Sequence, residues 1–219
     1  MSGTGAIAAV LAGGAGTRLG GSKPTVPLAG SPLIGYPLRA ARAANLDAVV
    51  VAKPGTRLPA LSEPVVREPP APVHPACGAL AALRYAQAQA HVGAVVLMAC
   101  DMPFLTPQLL AWLAGLEGAV IVREGERLQP LVGRYPVDRA VAVAHTLAEG
   151  GSLVSALTAG VTRVVEEAEL RSFGDPRRLL FNVNERADLE LAARMLEHPA
   201  EGGSPRQPGV ASSAPAAEP

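Results

Sequence analysis

Residues 11–23, LAGGAGTRLGGSK, combine several glycines with two basic side chains and directly follow a short apolar run, residues 6–10. Glycine adopts positive φ readily and lets a ligand approach the backbone closely. The exposed N–H groups of such a loop form a concave site for anions. Arg18 and Lys23 add positive charge, since an arginine binds two phosphate oxygens at once and a lysine acts as a point charge. These residues predict a polyphosphate-binding loop at the end of the first strand.

Two familiar phosphate loops differ from this one. Gly16 and Gly21 have the spacing of a P-loop, but the Lys-Ser order that should follow them is reversed. The dinucleotide-binding fingerprint fails because Leu19 stands where its third glycine belongs. The alternative to a phosphate site is an ordinary glycine-rich turn.

A carboxylate, Asp101, ends a second apolar run, residues 94–99, and Pro103 prevents further strand pairing. Ligands of parallel sheets bind outside the carboxyl ends of the strands, so Asp101 and the glycine loop should share one edge. A carboxylate beside a polyphosphate needs a cation between them, and Mg²⁺ prefers one or two carboxylates with phosphate oxygens. Asp101 is therefore a predicted Mg²⁺ ligand. Its alternative role is to cap the helix after Pro107, which Thr106 could also do.

Three amide side chains are further candidates for binding. Asn184 either caps the last helix or completes the metal shell with its side-chain oxygen. Asn182 lies two residues earlier and points the same way if the segment is extended. Gln129 precedes a proline within a strand, so it either reads a second substrate or is an exposed edge residue.

No covalent intermediate is required by these residues. The chain has four histidines, and none stands beside a candidate nucleophile. The chemistry that the residues imply is the positioning of substrates together with neutralisation of charge in a phosphoryl-transfer transition state.

Continuous apolar runs alternate with helical patterns, which is typical of a right-handed, doubly wound α/β sheet covered on both faces. The strands are predicted at 6–11, 48–52, 64–67, 94–99 and 119–123, and the helices at 32–44, 76–91, 107–116 and 137–148. In the second half, 128–135 and 161–166 are predicted as strands, antiparallel at one edge, with helices at 153–159 and 185–196. We expect one domain over residues 1–197 and a disordered tail over 198–219, which is rich in Pro, Gly, Ser and Ala.

Composition limits the function further. Hydrophobic residues make up 49% of the 219 residues and aromatic residues 3%, so the core must consist of Ala, Val and Leu. Lysine and arginine total 19, as do aspartate and glutamate, which argues against a nucleic-acid or membrane binder. The two cysteines, Cys77 and Cys100, lie in apolar surroundings, and we expect them to be buried and reduced, as in the cytoplasm. No apolar run reaches the ~20 residues of a membrane span.

Four motifs in this order, LAGGAGTRLGGSK, CDMP, QPL and NVNERADL, resemble those of the nucleotidyltransferase group that contains molybdenum cofactor guanylyltransferase. The resemblance covers residues 6–196. It implies a Rossmann-like, three-layer α/β fold with a mostly parallel, partly mixed sheet, and a Mg²⁺ cofactor. It also implies that a phosphate of molybdopterin attacks the α-phosphate of GTP and that pyrophosphate leaves. Molybdoenzymes or their chaperones would be partners.

The resemblance also implies roles for single residues. Leu11, Ala12 and Gly13 would begin the nucleotide loop beside the base and ribose, and Gly14 and Gly16 would admit the phosphates. Arg18 and Lys23 would hold the triphosphate and act in catalysis together with Asp101, which binds Mg²⁺. Asn184 would be a metal or substrate contact, with Asn182 beside it, and Gln129 would lie on the pterin side.

Some positions depart from the family pattern. Glu68 only loosely matches an acidic residue that is expected to contact the nucleotide, and Lys53 stands where a polar residue such as Asn is expected. These departures leave the base and the acceptor open. The alternatives are cytidylyl transfer to molybdenum cofactor, nucleotidyl transfer to a sugar phosphate, guanylyl transfer to phospholactate, and a nucleotide sensor without catalysis.

Overall fold

The computed structural model of the protein describes residues 5–13, 17–69, 74 and 76–198. Its strands are β1 (Gly5–Leu11), β2 (Pro27–Leu28), β3 (Ser31–Pro32), β4 (Ala48–Ala52), β5 (Val65–Arg67), β6 (Val92–Ala99), β7 (Val120–Glu124), β8 (Arg127–Pro136) and β9 (Arg163–Val165). Its α-helices are α1 (Gly35–Ala43), α2 (Ala76–Gln87), α3 (Pro107–Gly115), α4 (Arg139–Ala148), α5 (Leu153–Thr158), α6 (Glu167–Leu170), α7 (Pro176–Leu179) and α8 (Arg186–Glu197). Two 3₁₀ turns, Thr17–Leu19 and Lys23–Thr25, lie between β1 and β2.

Seven strands form one sheet in the order β5-β4-β1-β6-β8-β7-β9. The strands β4, β1 and β6 are parallel neighbours at its centre, and their valines and alanines are almost completely buried. This burial explains why their sequences show no alternation of polar and apolar residues. The predicted strands at 6, 48 and 94 are therefore confirmed, as is the mostly parallel, partly mixed sheet.

Strand β8 is the one member of this sheet that runs against the others, because it pairs antiparallel with both β6 and β7. It lies inside the sheet and is joined to β7 by a tight turn at Gly125, whose φ is 55°. The other predicted strand, β9, is at the edge but runs parallel to β7. The chain passes through α4 and α5 after β8, and β9 then starts at the end of the sheet where β7 starts. The prediction is thus confirmed for the antiparallel direction of β8 and for the edge position of β9, and it is wrong for the position of β8 and for the direction of β9.

Helices cover both faces of the sheet, which gives the predicted three layers. On one face α1 and α3 pack through residues such as Leu38, Leu109 and Leu113. On the other face α2, α4 and α5 pack through residues such as Leu83 and Val143. Both faces are lined mainly by Ala, Val and Leu, as the low aromatic content predicts, and both cysteines are buried.

Several element ends differ from the prediction. Helix α1 begins at Gly35 because Ser31–Pro32 pairs with Pro27–Leu28 in a short hairpin. Helix α2 ends at Gln87, four residues earlier than predicted, and α6 and α7 were not predicted. The loop glycines Gly14 and Gly16 and residues 199–219 of the predicted tail lie outside the described residues. None of the described helices is long and apolar enough to cross a membrane.

Candidate active site

Three of the predicted site residues meet at the carboxyl edge of the sheet. The Lys23 ammonium forms an ion pair with Oδ2 of Asp101 and donates a hydrogen bond of 2.8 Å to Oδ1 of Asn184. Lys23 is 78 positions from Asp101 and 161 positions from Asn184 in the chain. A loop after β1, the end of β6 and the segment before α8 therefore supply one charged cluster.

Backbone hydrogen bonds hold these segments together. The Cys100 N–H donates to the Leu11 carbonyl at 3.1 Å, so the ends of β1 and β6 are fixed side by side. The Val183 N–H donates to the Asp101 carbonyl at 2.9 Å and brings the segment of Asn184 to the same place. The geometry of the cluster thus depends on main-chain contacts rather than on mobile side chains alone.

Asp101 is a buried carboxylate, 8% exposed. Its Oδ1 has no hydrogen-bond partner among the described residues, although a buried polar atom normally has one. The alternative role as a helix cap is wrong, because the Thr106 hydroxyl accepts from the Leu109 N–H at 3.3 Å and caps α3. Asp101 therefore uses one carboxylate oxygen, Oδ2, to pair with Lys23, and its other oxygen, Oδ1, receives no hydrogen bond from a described residue.

Asn184 is not the cap of α8 either. Glu185 is the N-cap residue, and its N–H donates to Asp188 Oδ2 at 3.0 Å. The Asn184 N–H donates to the same oxygen at 2.8 Å, which leaves its amide side chain for Lys23. The interpretation of Asn184 as an ordinary cap is thus wrong, and its side chain faces the cluster instead.

A second polar cluster surrounds Gly13. The residue before Gly13 is hydrogen-bonded to the sheet, since the Ala12 N–H donates to the Val51 carbonyl at 2.7 Å. A Cβ atom at Gly13 would lie 2.8 Å from Glu68 Oε1 and 3.2 Å from Lys53 Cγ. A Cβ at Gly78 would lie 3.0 Å from the same Glu68 oxygen. Two glycines thus make the space that the Glu68 carboxylate occupies.

Glu68 is 7% exposed, and its carboxylate forms no hydrogen bond with a described residue. Burial raises the pKa of this carboxyl group above its usual value, and the neighbouring charge of Lys53 partly offsets the effect. A carboxylate that accepts no hydrogen bond from any described residue, at the end of a parallel strand, is suited to accept hydrogen bonds from a ligand.

Cys100 is no candidate nucleophile, although it precedes Asp101. Burial, and then the negative charge of Asp101, raise the pKa of the Cys100 thiol to about 12. The thiol is protonated at neutral pH, and a thiol is a poor nucleophile compared with its thiolate.

Other predicted residues are not brought into either cluster. Arg18 is exposed and contacts no described residue through a hydrogen bond or ion pair. Gln129 Nε2 donates to Glu124 Oε2 at 2.7 Å across the β7–β8 hairpin, and β8 is not the edge strand that one interpretation required. Asn182 Nδ2 donates to the Leu180 carbonyl at 2.9 Å.

Two residues of the second cluster, Lys53 and Gly78, were not predicted as site residues. Lys53 follows β4 as Asp101 follows β6, so the rule that ligands bind beyond the carboxyl ends of the strands could have identified it. Gly78 gave no such signal, because a glycine within a helical pattern indicates a close packing contact without naming the partner.

Solved structures share this fold. The chain is 26% identical to the molybdopterin-guanine dinucleotide biosynthesis protein A of Archaeoglobus fulgidus, with a TM-score of 0.71 over 87% of this chain and 98% of that one. It shares the fold, at 18% identity and a TM-score of 0.63, with the 2-C-methyl-D-erythritol 4-phosphate cytidylyltransferase of Thermus thermophilus, covering 87% of this chain and 98% of that one. The protein is a nucleotidyltransferase.

The family of this protein within the nucleotidyltransferases follows from the sequence comparisons. The model described as the MobA-like NTP transferase domain matches residues 8–165, and the chain belongs to that family. The chain is 36% identical over 197 residues to a molybdenum cofactor guanylyltransferase of Cereibacter sphaeroides, covering 85% of this chain and 95% of the relative. Membership of this family suggests the use of a divalent metal. Among the described residues no group of three or more His, Cys, Asp or Glu side chains could hold such an ion.

Proposed function

We propose that this protein transfers GMP from GTP to the terminal phosphate of molybdenum cofactor, with Mg²⁺, and releases pyrophosphate. The observation that carries the proposal is the convergence of Lys23, Asp101 and Asn184 at the end of the glycine-rich loop. The name and 36% identity of the relative from Cereibacter sphaeroides support the choice of GTP and molybdenum cofactor as substrates.

The reaction needs few groups from the protein. An oxygen of the acceptor phosphate forms a bond to the α-phosphorus of GTP, and the bond from that phosphorus to the β-phosphate oxygen breaks. The electron pair leaves with pyrophosphate. In this reaction Lys23, which is paired with Asp101 in the structure, would move to the phosphate oxygens and stabilise the charge that develops on the leaving group. Arg18, exposed in the same loop, adds a second positive charge once the triphosphate is bound.

The oxygen atoms around Lys23 suit a hard cation. Asp101 offers a buried Oδ1 that has no hydrogen-bond partner in the described part of the chain, and Asn184 offers the amide oxygen that accepts from Lys23. Mg²⁺ is commonly held by one or two protein oxygens together with phosphate oxygens and water, so these two residues would hold it only when nucleotide is present. When bound, Mg²⁺ neutralises phosphate charge and fixes the orientation of the phosphates.

The cluster around Gly13 supports guanine as the base. The guanine edge carries two neighbouring donors, N1–H and the N2 amino group, beside one acceptor, O6. The Glu68 carboxylate accepts from donors, and the Lys53 ammonium, packed against the same glycine, donates to an acceptor. Cytosine carries one donor group and two acceptors, which matches this pair less well. Gly13, Glu68 and Lys53 are thus proposed to form the base site, with Leu11 and Ala12 beneath it.

The acceptor lies on the opposite side of the α-phosphate from the leaving group. Asn182, Asn184 and Gln129 belong to segments at this edge and are proposed to contact the pterin. The product would then pass to molybdoenzymes or their chaperones.

The test is pyrophosphate release by the full chain with GTP, CTP, ATP or UTP, each with and without molybdenum cofactor and Mg²⁺. We expect release that requires GTP, the cofactor and the metal together. Release with CTP instead of GTP would favour a cytidylyl transferase. Nucleotide binding without release would contradict the proposed acceptor or favour a sensor.

Asp101→Asn tests the metal site in the same assay. The change keeps the shape of the side chain but removes its charge, and we expect the rate to fall by at least about 100-fold because the metal loses its carboxylate. An unchanged rate and an unchanged dependence on Mg²⁺ would contradict the role of Asp101. Circular dichroism of the variant controls for folding.

A further inference from the structure

A further basic group, Arg178, stands on an aromatic platform beside the segments of the active site. Its guanidinium carbon lies 4.6 Å from the centre of the Phe104 ring. The Phe104 ring meets the ring of Phe181 edge to face, with 6.0 Å between their centres. Arg178 is half-buried and forms no ion pair with any described residue. A planar guanidinium held on a ring is pre-organised to bind two oxygens of one anion.

The platform belongs to the segments that build the active site. Phe104 follows Asp101 by three residues, so their α-carbons are no more than about 11 Å apart. Phe181 precedes Asn184 by three residues, and the Val183 N–H binds the Asp101 carbonyl between them. Leu19, from the glycine-rich loop, packs against the same apolar cluster. The cluster thus fixes the position of Arg178 relative to the loop, Asp101 and Asn184.

Charge balance indicates what Arg178 binds. Lys23 already has a carboxylate and an amide as partners, and Arg18 lies in the loop that is proposed to hold the triphosphate. An attacking phosphate monoester brings about two further negative charges close to the triphosphate at neutral pH. This approach is repulsive unless another cation neutralises it, and no carboxylate in the described part of the chain forms an ion pair with Arg178.

We propose that Arg178 binds the phosphate of the acceptor and directs it toward the α-phosphate of the nucleotide. This proposal rests on the proposed function for the identity of the acceptor, but the chemistry that it names is a phosphate monoester. Phe104 is the positioning residue, since it holds the guanidinium without touching the substrate.

The experiment compares Arg178→Ala with Arg177→Ala, its matched control. Arg177 is the neighbouring arginine on α7 and is exposed, so its removal changes the net charge equally. Binding of molybdopterin and of dephosphorylated molybdopterin is measured at equilibrium without turnover, and GTP binding is measured separately. We expect Arg178→Ala to weaken molybdopterin binding by about 10- to 100-fold, as for a lost charged hydrogen bond, and to leave dephosphorylated molybdopterin and GTP unaffected. Arg178→Lys should recover part of the loss.

Phenyl phosphate is a second probe, because it tests the phosphate contact without depending on the pterin. Its binding to wild-type protein should be lost in Arg178→Ala and kept in Arg177→Ala. If phenyl phosphate depends on Arg178 but molybdopterin does not bind the wild-type protein, the proposed acceptor is wrong and the role of Arg178 stands. If molybdopterin or phenyl phosphate binds both variants equally, or if phenyl phosphate does not bind the wild-type protein, the role of Arg178 is overturned. A thermal melt of each variant identifies any loss of folding.

Discussion

At the scale of single residues, Glu68 links burial to pH dependence. Its pKa is raised because burial disfavours the carboxylate, and Lys53 opposes that rise. A raised pKa in the folded state means that Glu68 stabilises the fold most at low pH and that this contribution is lost as the pH rises through its folded pKa. GTP binding has the opposite dependence, since the proposed base contact needs the carboxylate and weakens as the pH falls through the same pKa.

Lys53→Met should therefore shift the acid limb of GTP binding, which is the fall in affinity at low pH, to higher pH. The substitution removes the charge that lowers the pKa of Glu68 and keeps an unbranched side chain against Gly13. Dissociation constants for GTP measured from about pH 4 to about pH 8, a range that begins near the ordinary carboxyl pKa of ~4.3 and extends above it, would show the shift. Lys53→Arg keeps the charge and should leave the limb in place. A limb at the same pH in all three proteins would show that Lys53 does not act on Glu68.

Gly78→Ala tests the space that the Glu68 carboxylate occupies. The added methyl group would lie 3.0 Å from Glu68 Oε1, so the carboxylate must shift from its position between Gly13 and Gly78. We expect GTP to bind roughly tenfold more weakly, while helix α2 loses no stability since alanine favours helices. Gly115→Ala, at the end of α3 with open space around it, is the control and should bind GTP normally. Equal affinity in the two variants would argue against the base site.

At the scale of elements, the residue that caps α3, Thr106, is different from the residue at the candidate active site, Asp101. Thr106 satisfies the Leu109 N–H, and Asp101, five residues earlier, is thereby left to the cluster with Lys23. Thr106→Ala should lower the free energy of unfolding by about 1 kcal/mol, or the melting temperature by about 2–4 °C, with little change in the rate. Thr146→Ala is the control, because its hydroxyl binds the Ala142 carbonyl within α4 and such bonds add little. A large loss of rate without loss of stability would show that Thr106 has a role in catalysis.

At the scale of the whole molecule, the first half of the fold was predictable because its strands are buried on both faces and read as unbroken apolar runs. The position of β8 inside the sheet and the direction of β9 were not, since an apolar run does not specify its neighbour or the direction in which it pairs. Of the site, the edge that carries Asp101 and Lys23 followed from the rule that ligands bind beyond the carboxyl ends of parallel strands. The contact between Lys23 and Asn184 joins residues 161 positions apart in the chain, and no local pattern in the sequence predicts such a pairing.

Strand β8 has a consequence for how the chain folds. It is joined to β7 by a tight turn, but its other neighbour, β6, is separated from it in the chain by α3 and β7. A hairpin closes in about 1–10 μs, whereas pairing with β6 must await the closure of a longer loop. We expect the β7–β8 hairpin to form early and to dock on β6 as a unit. The nascent protein would therefore hold β6 with an open edge, vulnerable to pairing with another chain, until residues 120–136 have been synthesised and have docked.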